Sequence, residues 1–273
     1  MKGKKTKSLR KLMSLNGRVA LITGGAGHIG SVVGETLAEL GADIVILDIS
    51  RDQCIKTSWK IARNYAVKSF PLAVDLTDEK QIMSVPDKIT KKLKRLDIVV
   101  NCAALVGTSQ LKGWATSFKK QKISSWKKAF EVNLIAPFLL TQACMPVLKL
   151  SGHGSIINIS SIYGMLGPDM RLYKGTSMGG NPAAYATSKG GLIQLTRWLA
   201  TILAPKIRVN AITVGGVWRD QDEVFHRKYI EKTPLKRMAT EEDLKGVVAY
   251  LSSDLSSYVT GQNIIVDGGW SAW

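Results

Sequence analysis

The stretch that decides the fold is residues 20–30, A-L-I-T-G-G-A-G-H-I-G, where an apolar segment leads into a turn rich in glycine. The turn contains four glycines, Gly24, Gly25, Gly27 and Gly30. Because they have no Cβ, these residues allow a tight turn and a close approach of the backbone to a ligand. Helical spacing follows over residues 29–41, and a helix N-terminus offers unpaired N–H groups and partial positive charge to a diphosphate. A glycine-rich loop alone is a weak signal, but a strand before it and a helix after it are typical of dinucleotide-binding folds.

Apolar segments of strand length recur along the chain and alternate with segments of helical length. The predicted strands are residues 18–23, 43–48, 69–74, 96–101, 154–160, 207–213 and 263–267. The predicted helices include residues 29–41, 78–94, 123–150 and 183–204. Strands that are apolar almost throughout are typical of a parallel sheet covered on both faces. Repeated βα units predict a doubly wound parallel sheet flanked by helices, and since no linker or repeat divides the chain, we expect a single α/β domain.

The second predicted strand ends in Asp48, eighteen residues after Gly30. In dinucleotide folds an acid at this place accepts hydrogen bonds from the adenosine ribose and repels a 2′-phosphate, so Asp48 favours NAD over NADP. The alternative role for Asp48 is a helix cap, and Arg51 weakens the preference for NAD without reversing it. Asp75 ends the third strand and is a candidate for hydrogen bonding to adenine, whereas Asp78 is better placed to cap the next helix.

The charge of the chain is strongly basic, with 38 Lys and Arg residues, 21 Asp and Glu residues and a net charge of +17. Residues 1–15 contain six basic residues and no acid, and six lysines lie between Lys112 and Lys128, within an acid-free stretch over residues 98–130. We expect a disordered basic tail at 1–15 and solvated helix faces. The alternative is attraction to an anionic partner, such as a phosphorylated substrate, an acidic carrier protein or a nucleic acid, although no nucleic-acid-binding motif supports the last of these.

Composition and segment lengths argue against several other classes of protein. No uninterrupted apolar run approaches the ~20 residues needed to span a bilayer, and we recognise no secretory signal. The three cysteines, Cys54, Cys102 and Cys144, lack metal-ligand spacing. We therefore expect free thiols, no metal site, no membrane span and a cytoplasmic protein.

A second informative stretch is A-A-Y-A-T-S-K-G-G, residues 183–191, which places Tyr185 four positions before Lys189. At this spacing both side chains project from one face of a helix. An unperturbed tyrosine titrates near ~10, and a neighbouring ammonium lowers that pKa towards neutrality, so the pair suits proton transfer. The alternative is an ordinary helix surface, because pairs at this spacing are common by chance.

Three further motifs accompany the pair. The predicted strand S-I-I-N-I-S-S ends in Ser160 and Ser161, whose hydroxyls are candidates for holding a substrate oxygen beside the tyrosine. The sequence N-C-A-A at 101–104 ends the fourth strand. Asn133, in V-N-L-I-A-P, is a polar residue in an apolar helix, which indicates either a structural hydrogen bond or a role in a chain of water molecules.

Together these motifs resemble the short-chain dehydrogenase/reductase family in its single-domain branch. The resemblance covers about residues 15–273, including V-T-G-Q-N-I-I-V-D-G-G at 259–269. It implies a Rossmann-type domain over residues 16–273 and reversible hydride transfer between a nicotinamide and a carbonyl or secondary alcohol carbon. It further implies that Tyr185 is the catalytic acid/base, Lys189 its partner, Ser161 the hydroxyl that polarises the carbonyl (Ser160 if the register differs by one), and Asn133 the holder of a proton-relay water.

The resemblance also implies a binding site for NAD, with NADP as the alternative. The residues expected to contact or frame the dinucleotide are Thr23, Gly24, Gly25, Gly27, His28, Ile29, Gly30, Asp48, Ile49, Asp75, Leu76, Asn101, Ala103, Tyr185, Lys189, Gly215 and Val217. Members of the family usually form homotetramers or homodimers through the helices that contain Asn133 and Tyr185, and we expect the same here.

The chain departs from the family pattern in its loops. His28 stands where the single-domain branch usually has glycine, so that Thr23 to Gly30 fits the spacing of longer relatives that modify nucleotide sugars; we expect His28 to line the loop. The 24 positions from Ser161 to Tyr185 are more than the family usually has. We expect substrate-contacting segments at 105–121, 165–182 and 216–240, with Trp114 at the mouth of the site. Arg219 is expected either to bind a phosphate or to form a surface salt bridge, and Thr240 to cap a helix.

The leading functional hypothesis is an NAD(H)-dependent oxidoreductase that interconverts a secondary alcohol and a ketone on a polar, anionic small molecule, such as a sugar or nucleotide-sugar. The enzymatic alternative is a reductase resembling 3-oxoacyl-(acyl-carrier-protein) reductases, which would usually prefer NADP. The non-enzymatic alternative is a cofactor-sensing or polyanion-binding protein. The intact Ser, Tyr and Lys favour an enzyme.

Overall fold

The computed structural model describes residues 6–273, and its centre is a sheet of seven parallel strands. The strands are β1 (Val19–Thr23), β2 (Asp43–Asp48), β3 (Ser69–Ala73), β4 (Ile98–Asn101), β5 (Gly154–Ser161), β6 (Ile207–Val214) and β7 (Asn263–Val266). All seven strands that the sequence predicted are present, each within three residues of its expected bounds. The apolar runs locate strands well because both faces of the sheet are covered.

Helices connect the strands and cover the two faces of the sheet. They are α1 (Leu9–Met13), α2 (His28–Glu39), α3 (Arg51–Tyr65), α4 (Glu79–Met83), α5 (Val85–Leu93), α6 (Ile123–Phe130), α7 (Ala136–Ser151), α8 (Ala183–Leu203), α9 (Glu223–Lys232) and α10 (Lys245–Ser252). The predicted helix 78–94 is two helices that meet at Ser84, and Asp78 caps the first of them by accepting a hydrogen bond from Gln81 N at 3.1 Å.

The order of the strands positions the functional residues. The strand order in the sheet is β3-β2-β1-β4-β5-β6-β7. β1 lies between β2 and β4, and at this point the order in which the chain adds strands changes from one side of the sheet to the other. In such doubly wound sheets, ligands bind at the carboxyl ends of the strands next to this reversal. The end of β1, Thr23, pairs with Leu47 on one side and Asn101 on the other, so the glycine turn begins at that crevice. The predicted doubly wound Rossmann-type fold is confirmed.

Two hydrophobic clusters, one on each face of the sheet, form the core. One contains Ile22, Ile46 and Leu37, and the other contains Leu21 and Val45, as expected for strands whose alternate side chains point to opposite faces. The edge strands are less buried than the sequence suggested. β3 contains Pro71 and β7 contains Ile265, which is 44% exposed, because only one neighbour covers an edge strand.

The basic N-terminal segment differs from the prediction of disorder. α1 begins after Ser8, whose hydroxyl accepts a hydrogen bond from Lys11 N at 3.3 Å. Leu15 is fully buried in the core, which holds the segment against the domain. The expectation of a disordered tail is therefore wrong for the residues from Leu9 to Leu15. Residues 1–5, which carry part of the predicted basic tail, lie outside the described residues.

The helix over residues 123–151 is continuous but changes its hydrogen-bonding pattern at a π-helical turn, Glu131–Ile135. By length and composition alone, Ile123–Ser151 could cross a membrane, with a mean hydropathy of 1.5 over its most apolar window. A core helix of a globular protein passes the same test, and Leu140, Cys144 and Leu148 are buried against the sheet. We expected no membrane span because no uninterrupted apolar run is long enough, but the helix predicted over residues 123–150 passes this test because its scattered polar residues leave a high mean hydropathy.

Candidate active site

Two cavities of about 470 Å³ each open side by side at the carboxyl edge of the sheet. The first, here called the glycine-loop cavity, is lined by Gly24, Gly30, Asp48 and Asp75 among others. The second, here called the tyrosine cavity, is lined by Ser161, Tyr185, Lys189 and the segment around Tyr173. Both cavities share five wall residues, Ile29, Cys102, Ala104, Val106 and Arg219. Because of this shared wall, one elongated ligand can occupy parts of both.

The glycine turn is shaped to receive a ligand at the start of α2. Gly24 has a φ of +61°, and a Cβ there would lie 2.8 Å from Cα of Ala103, so only glycine fits. A Cβ on Gly30 would collide with the Gly24 carbonyl. α2 begins at His28 after Gly27, and no side chain among residues 6–273 caps it, so its first N–H groups have no side-chain partner at the wall of the glycine-loop cavity. These features fit a diphosphate.

Asp48 lies where the sequence predicted, at the carboxyl end of β2 on the wall of the glycine-loop cavity. Its carboxylate accepts hydrogen bonds from Ala26 N at 3.2 Å and Ile49 N at 2.8 Å, which fixes it beside the glycine turn. Asp75 lines the same cavity, and its Oδ1 accepts hydrogen bonds from the backbone N and the hydroxyl of Thr77, both at 2.8 Å.

Most of the predicted dinucleotide residues line one of the two cavities, and three do not. The glycine-loop cavity is lined by Gly24, Gly27, His28, Ile29, Gly30, Asp48, Ile49, Asp75, Leu76 and Ala103. The tyrosine cavity is lined by Tyr185, Lys189, Gly215 and Val217. Thr23, Gly25 and Asn101 lie behind these walls. The Thr23 hydroxyl accepts a hydrogen bond from Ala103 N at 3.2 Å, and Asn101 donates to Asn158 at 2.8 Å, so both support the turn and strand ends.

Tyr185 and Lys189 lie one turn apart near the start of α8, as predicted. The Lys189 ammonium donates to the carbonyl of Ile159 on β5 at 2.6 Å and lies 6.0 Å from the centre of the Tyr185 ring. Ser161, at the end of β5, faces the same cavity, whereas the Ser160 hydroxyl donates to the Lys189 carbonyl at 3.0 Å. Ser160 is therefore engaged inside the structure, and Ser161 is the better placed of the two serines.

The pKa of Tyr185 differs in direction from the prediction. Burial raises the pKa of Tyr185 above its ordinary value, while the Ser161 side chain and the charge of Arg219 act in the opposite direction. Burial also lowers the pKa of Lys189 to about 8. The sequence predicted a lowered tyrosine pKa because it showed the cation but not the depth of burial, and that prediction is wrong for the protein alone. The phenol is protonated at neutral pH.

The lowered pKa of Lys189 gives a stability prediction. Its ordinary pKa of 10.5 falls to about 8 on folding, so between these pH values the unfolded chain binds more protons. The buried charge therefore lowers the free energy of unfolding by its full amount below pH 8, and this loss of stability disappears above pH 10.5. Lys189→Met should raise the free energy of unfolding at pH 7 by about 2 kcal/mol, after allowing for the lost hydrogen bond to Ile159.

Urea unfolding of the two proteins without cofactor, at pH 7 and again near pH 10, measures this effect. The difference between variant and parent should shrink as the pH rises. A variant that is less stable than the parent at both pH values would contradict the assigned burial of the charge.

Asn133 is fully buried in the π-helical turn and makes three hydrogen bonds. Its Oδ1 accepts from Leu105 N at 2.7 Å, and its Nδ2 donates to the Leu105 carbonyl and the Ser188 hydroxyl, each at 3.1 Å. Both N–H groups of the amide are thus used to join the long helix to the loop after β4 and to α8. The structural hydrogen bonds that the sequence allowed are present, and the role in a water relay stays a prediction.

The segment over residues 105–121 contains a buried tryptophan, Trp114, whose position was wrongly predicted from the sequence. Trp114 was expected at the mouth, but it is only 2% exposed and its Nε1 donates to the Val106 carbonyl at 2.7 Å. It packs with Ala129 and Ala184 and thereby holds the 105–121 segment against the helices. Burial of the apolar ring is more favourable than a place at the solvated mouth of the site. The polar composition of the segment did not indicate this.

Arg219 forms the salt bridge that was one of its two expected roles, and phosphate binding stays a prediction. Its guanidinium forms a salt bridge with Glu241 at 3.1 Å, and its side chain also lines both cavities. Two further elements hold this region. Val217 pairs with Ala239, and Thr240 forms a capping box with Asp243 at the predicted position.

Several residues that line the tyrosine cavity were not named individually from the sequence, although all of them except Tyr163 lie in the predicted segments 165–182 and 216–240. Tyr163 and Tyr173 join their hydroxyls at 3.2 Å, and Phe225 and Tyr229 of α9 complete an aromatic wall. Asn181 also lines the cavity; it lies four residues before Tyr185, within the predicted segment 165–182.

Comparison with known proteins places this architecture in a family. A family profile described as Enoyl-(Acyl carrier protein) reductase matches residues 24–271. The 3-oxoacyl-(acyl-carrier-protein) reductase FabG of Thermotoga maritima is 34% identical over 94% of this chain and 99% of its own length.

Two solved structures are similar over nearly the whole chain. A short chain dehydrogenase from Leptospira borgpetersenii with bound NAD+ is 33% identical, with a TM-score of 0.81, and the match covers 99% of this chain and 98% of that one. A gluconate 5-dehydrogenase from Burkholderia cenocepacia in complex with NADP and tartrate is 26% identical, with a TM-score of 0.86, over 97% of this chain and 100% of that one.

The sheet, its glycine turn and the neighbouring tyrosine cavity define a Rossmann-type oxidoreductase. The chain belongs to the short-chain dehydrogenase/reductase family, as the sequence motifs indicated. It is accordingly an NAD(P)-dependent enzyme that acts on CH–OH groups.

Proposed function

We propose that the protein is an NAD(H)-dependent oxidoreductase that interconverts a secondary alcohol and a ketone on a polar, anionic small molecule. One observation carries the proposal. Tyr185, Ser161 and Lys189 line a cavity that shares a wall with the cavity of the glycine turn and Asp48. A dinucleotide bound along the glycine turn has room to extend its reactive end towards the tyrosine.

The residues present fit a dinucleotide. The uncapped start of α2 and the glycine turn would hold the diphosphate, Asp48 the adenosine ribose and Asp75 the adenine. When bound, NAD(H) accepts the hydride from an alcohol carbon or supplies it to a ketone carbon. The protein's own residues therefore have to bind, orient and manage the proton.

Tyr185 exchanges that proton in our proposal. The hydroxyl holds a proton at neutral pH, which it can give to a carbonyl oxygen during reduction. Ser161, at the end of the rigid β5, would hold the same oxygen with its hydroxyl. Lys189 places a positive charge close to the phenol and favours the anion that remains after transfer.

The chemistry of the tyrosine cavity supports a polar substrate. Its wall includes Arg219, Gln110 and Asn181 beside the aromatic rings, which suits a hydroxylated molecule that carries negative charge. The gluconate dehydrogenase relative acts on an anionic sugar derivative, which adds support for a sugar or nucleotide-sugar.

The preference for NAD gives a direct test. Asp48→Ala should shift the ratio of NADH to NADPH affinity towards NADPH by about tenfold or more, because the variant loses a charged hydrogen-bond acceptor and a repulsion of the 2′-phosphate. Fluorescence titration with each reduced dinucleotide measures the ratio without a known substrate. Asp43→Asn, at the opposite end of the same strand, is the matched control and should leave the ratio unchanged. An unchanged ratio in Asp48→Ala would remove Asp48 from the ribose site.

The substrate is best found by direct assay. Purified protein with NAD and with NADP should be screened at 340 nm against secondary alcohols and ketones, including sugar acids and sugar nucleotides. We expect turnover of polar, anionic members with NAD. Turnover confined to uncharged apolar alcohols would contradict the proposed substrate class.

The second candidate function is reduction of a 3-oxoacyl group on an acidic carrier protein. It is favoured by the 34% identity to FabG and by the six lysines between Lys112 and Lys128, of which Lys128 lines the glycine-loop cavity. A preference for NADP together with turnover of a 3-oxoacyl thioester would favour this candidate over the first.

Self-association and location complete the proposal. Phe138 on α7 and Trp198 and Ile202 on α8 are exposed, with Trp198 at 51% and Ile202 at 58%. Association of two or four copies would cover such apolar groups, so we propose a homodimer or homotetramer in the cytoplasm. Light scattering of the purified protein gives the number of copies.

A further inference from the structure

Asn181 carries an unused hydrogen-bonding group at the substrate site. The residue lines the tyrosine cavity, and its Oδ1 is buried but accepts no hydrogen bond from any of residues 6–273. An acceptor buried without a donor is unfavourable, and native structures leave few such groups. The amide also has two N–H donors, so it can accept from one group and donate to another at once.

Two other amides near the cavity are already engaged as both acceptor and donor. Gln221 accepts from Arg219 N at 2.8 Å and donates to the Val217 carbonyl at 2.8 Å. Gln121 accepts from Ala183 N at 3.2 Å and donates to the Thr116 carbonyl at 3.3 Å. Gln221 lines the cavity in this engaged state, whereas the Oδ1 of Asn181 has no hydrogen-bond donor among residues 6–273.

The backbone around Asn181 is fixed by its neighbours. A Cβ on Gly179 would collide with the Ala115 carbonyl, so this part of the loop packs directly against the 105–121 segment. Gly180 has a φ of +93°, which turns the chain just before Asn181. Pro182 then precedes the first residue of α8.

The rest of the loop over residues 165–182 is also held in place, by contacts with α9. Lys228 of α9 donates to the carbonyls of Arg171 and Lys174, and Lys232 pairs with Asp169. The loop is therefore a fixed wall of the cavity, and Asn181 lies four residues before Tyr185, just ahead of Pro182 at the start of α8.

From this placement we propose that Asn181 recognises a hydroxyl group on the substrate carbon adjacent to the one that reacts. This inference rests on the proposed function. The oxygen of the reacting carbon must lie at Tyr185, and Asn181 lines the same cavity four residues earlier in the chain, so it is placed to contact a group on the next carbon. An amide that both accepts and donates is complementary to a hydroxyl, which does the same. The substrate class is thus a vicinal diol or α-hydroxyketone, such as a sugar ring.

The test compares two alcohols that differ in one hydroxyl, trans-cyclohexane-1,2-diol and cyclohexanol, with NAD as oxidant. We expect the diol to have a kcat/KM about tenfold above that of cyclohexanol, the effect of one additional neutral hydrogen bond. Asn181→Leu, which has a similar size and no polar atom, should abolish that advantage. Its affinity for NADH should stay within twofold of the parent (about 0.4 kcal/mol).

Thr141→Val is the matched control. The Thr141 hydroxyl is also buried without a partner among residues 6–273, but it lies on α7 and lines neither cavity. Its removal should leave the ratio between the two alcohols as it is in the parent. If only Asn181→Leu changes the ratio, the effect comes from the Asn181 amide and not from the loss of any buried unpaired atom.

Three results would overturn the inference. They are a parent protein that does not favour the diol, an Asn181→Leu variant that keeps the advantage, and a variant whose NADH affinity falls along with it, which would assign Asn181 to the cofactor. Saturation-transfer NMR of each alcohol with the NADH-bound protein gives the same comparison without turnover. If neither alcohol is turned over but the protein still binds the diol more tightly, the proposed function is contradicted and the recognition by Asn181 is supported. If neither alcohol binds, the recognition by Asn181 is contradicted as well.

Discussion

Tyr185→Phe is expected to lower kcat by about 10³-fold in either direction, because the substitution removes the only group in our proposal that exchanges a proton with the substrate oxygen. The ring that lines the cavity stays in place, since phenylalanine lacks only the hydroxyl. NADH affinity should therefore remain within a few-fold of the parent. The measurement is steady-state turnover at 340 nm with the best substrate of the screen, together with fluorescence titration of NADH.

Tyr163→Phe is a suitable control for this experiment. Tyr163 also lines the tyrosine cavity and is largely buried, and its hydroxyl contacts that of Tyr173. Its loss should change kcat/KM far less than the loss of the Tyr185 hydroxyl. If Tyr185→Phe retained most of its rate, the proton would have to be exchanged by another group, and the assignment of Tyr185 would be wrong.

The second large effect concerns the glycine turn. In Gly30→Ala the added methyl group would collide with the Gly24 carbonyl and approach Cα of Gly25 to 2.8 Å. These contacts are with backbone, which cannot swing aside like a flexible side chain, so the turn must shift. We expect dinucleotide affinity to fall by roughly 100-fold, in line with the upper part of the ~1–3 kcal/mol that overpacking usually costs.

Gly246→Ala is the control for the change from glycine to alanine. Gly246 lies in α10, and a Cβ there meets no atom within 4 Å. This variant should bind NADH as the parent does and be slightly more stable, because alanine favours helix. Circular dichroism of both variants shows whether the fold is kept. A folded Gly30→Ala protein with unaltered NADH affinity would mean that the dinucleotide does not use this turn.

Much of the fold was predictable because it depends on local patterns. The strands are uninterrupted apolar runs, and the turn after β1 is set by glycines that the backbone requires at that point, as the φ of Gly24 shows. Seven strands separated by helices leave few arrangements, and the right-handed crossover rule selects the doubly wound one. The sequence could not show that Leu9–Met13 is helical, since this depends on the burial of Leu15 by distant residues.

The candidate site was predictable only in part. Tyr185 and Lys189 are four residues apart, so helical geometry places them together without knowledge of the fold. Residues that meet through the fold were missed, because their partners are distant in sequence. Trp114 is buried by Ala184, and the raised pKa of Tyr185 reflects burial that no local pattern reports. Asn181 lay within the predicted segment 165–182, but its role could not be assigned, since an unpaired carbonyl becomes apparent only when every neighbour is known.

The central claim is that a dinucleotide bound at the glycine turn brings its nicotinamide beside Tyr185. A crystal structure of the protein soaked with NADH tests this claim most directly. The account predicts the adenosine ribose at Asp48, the diphosphate at the start of α2 and the nicotinamide ring against the wall that contains Tyr185 and Lys189. A dinucleotide bound with its nicotinamide outside the tyrosine cavity, or no dinucleotide at the glycine turn, would contradict it.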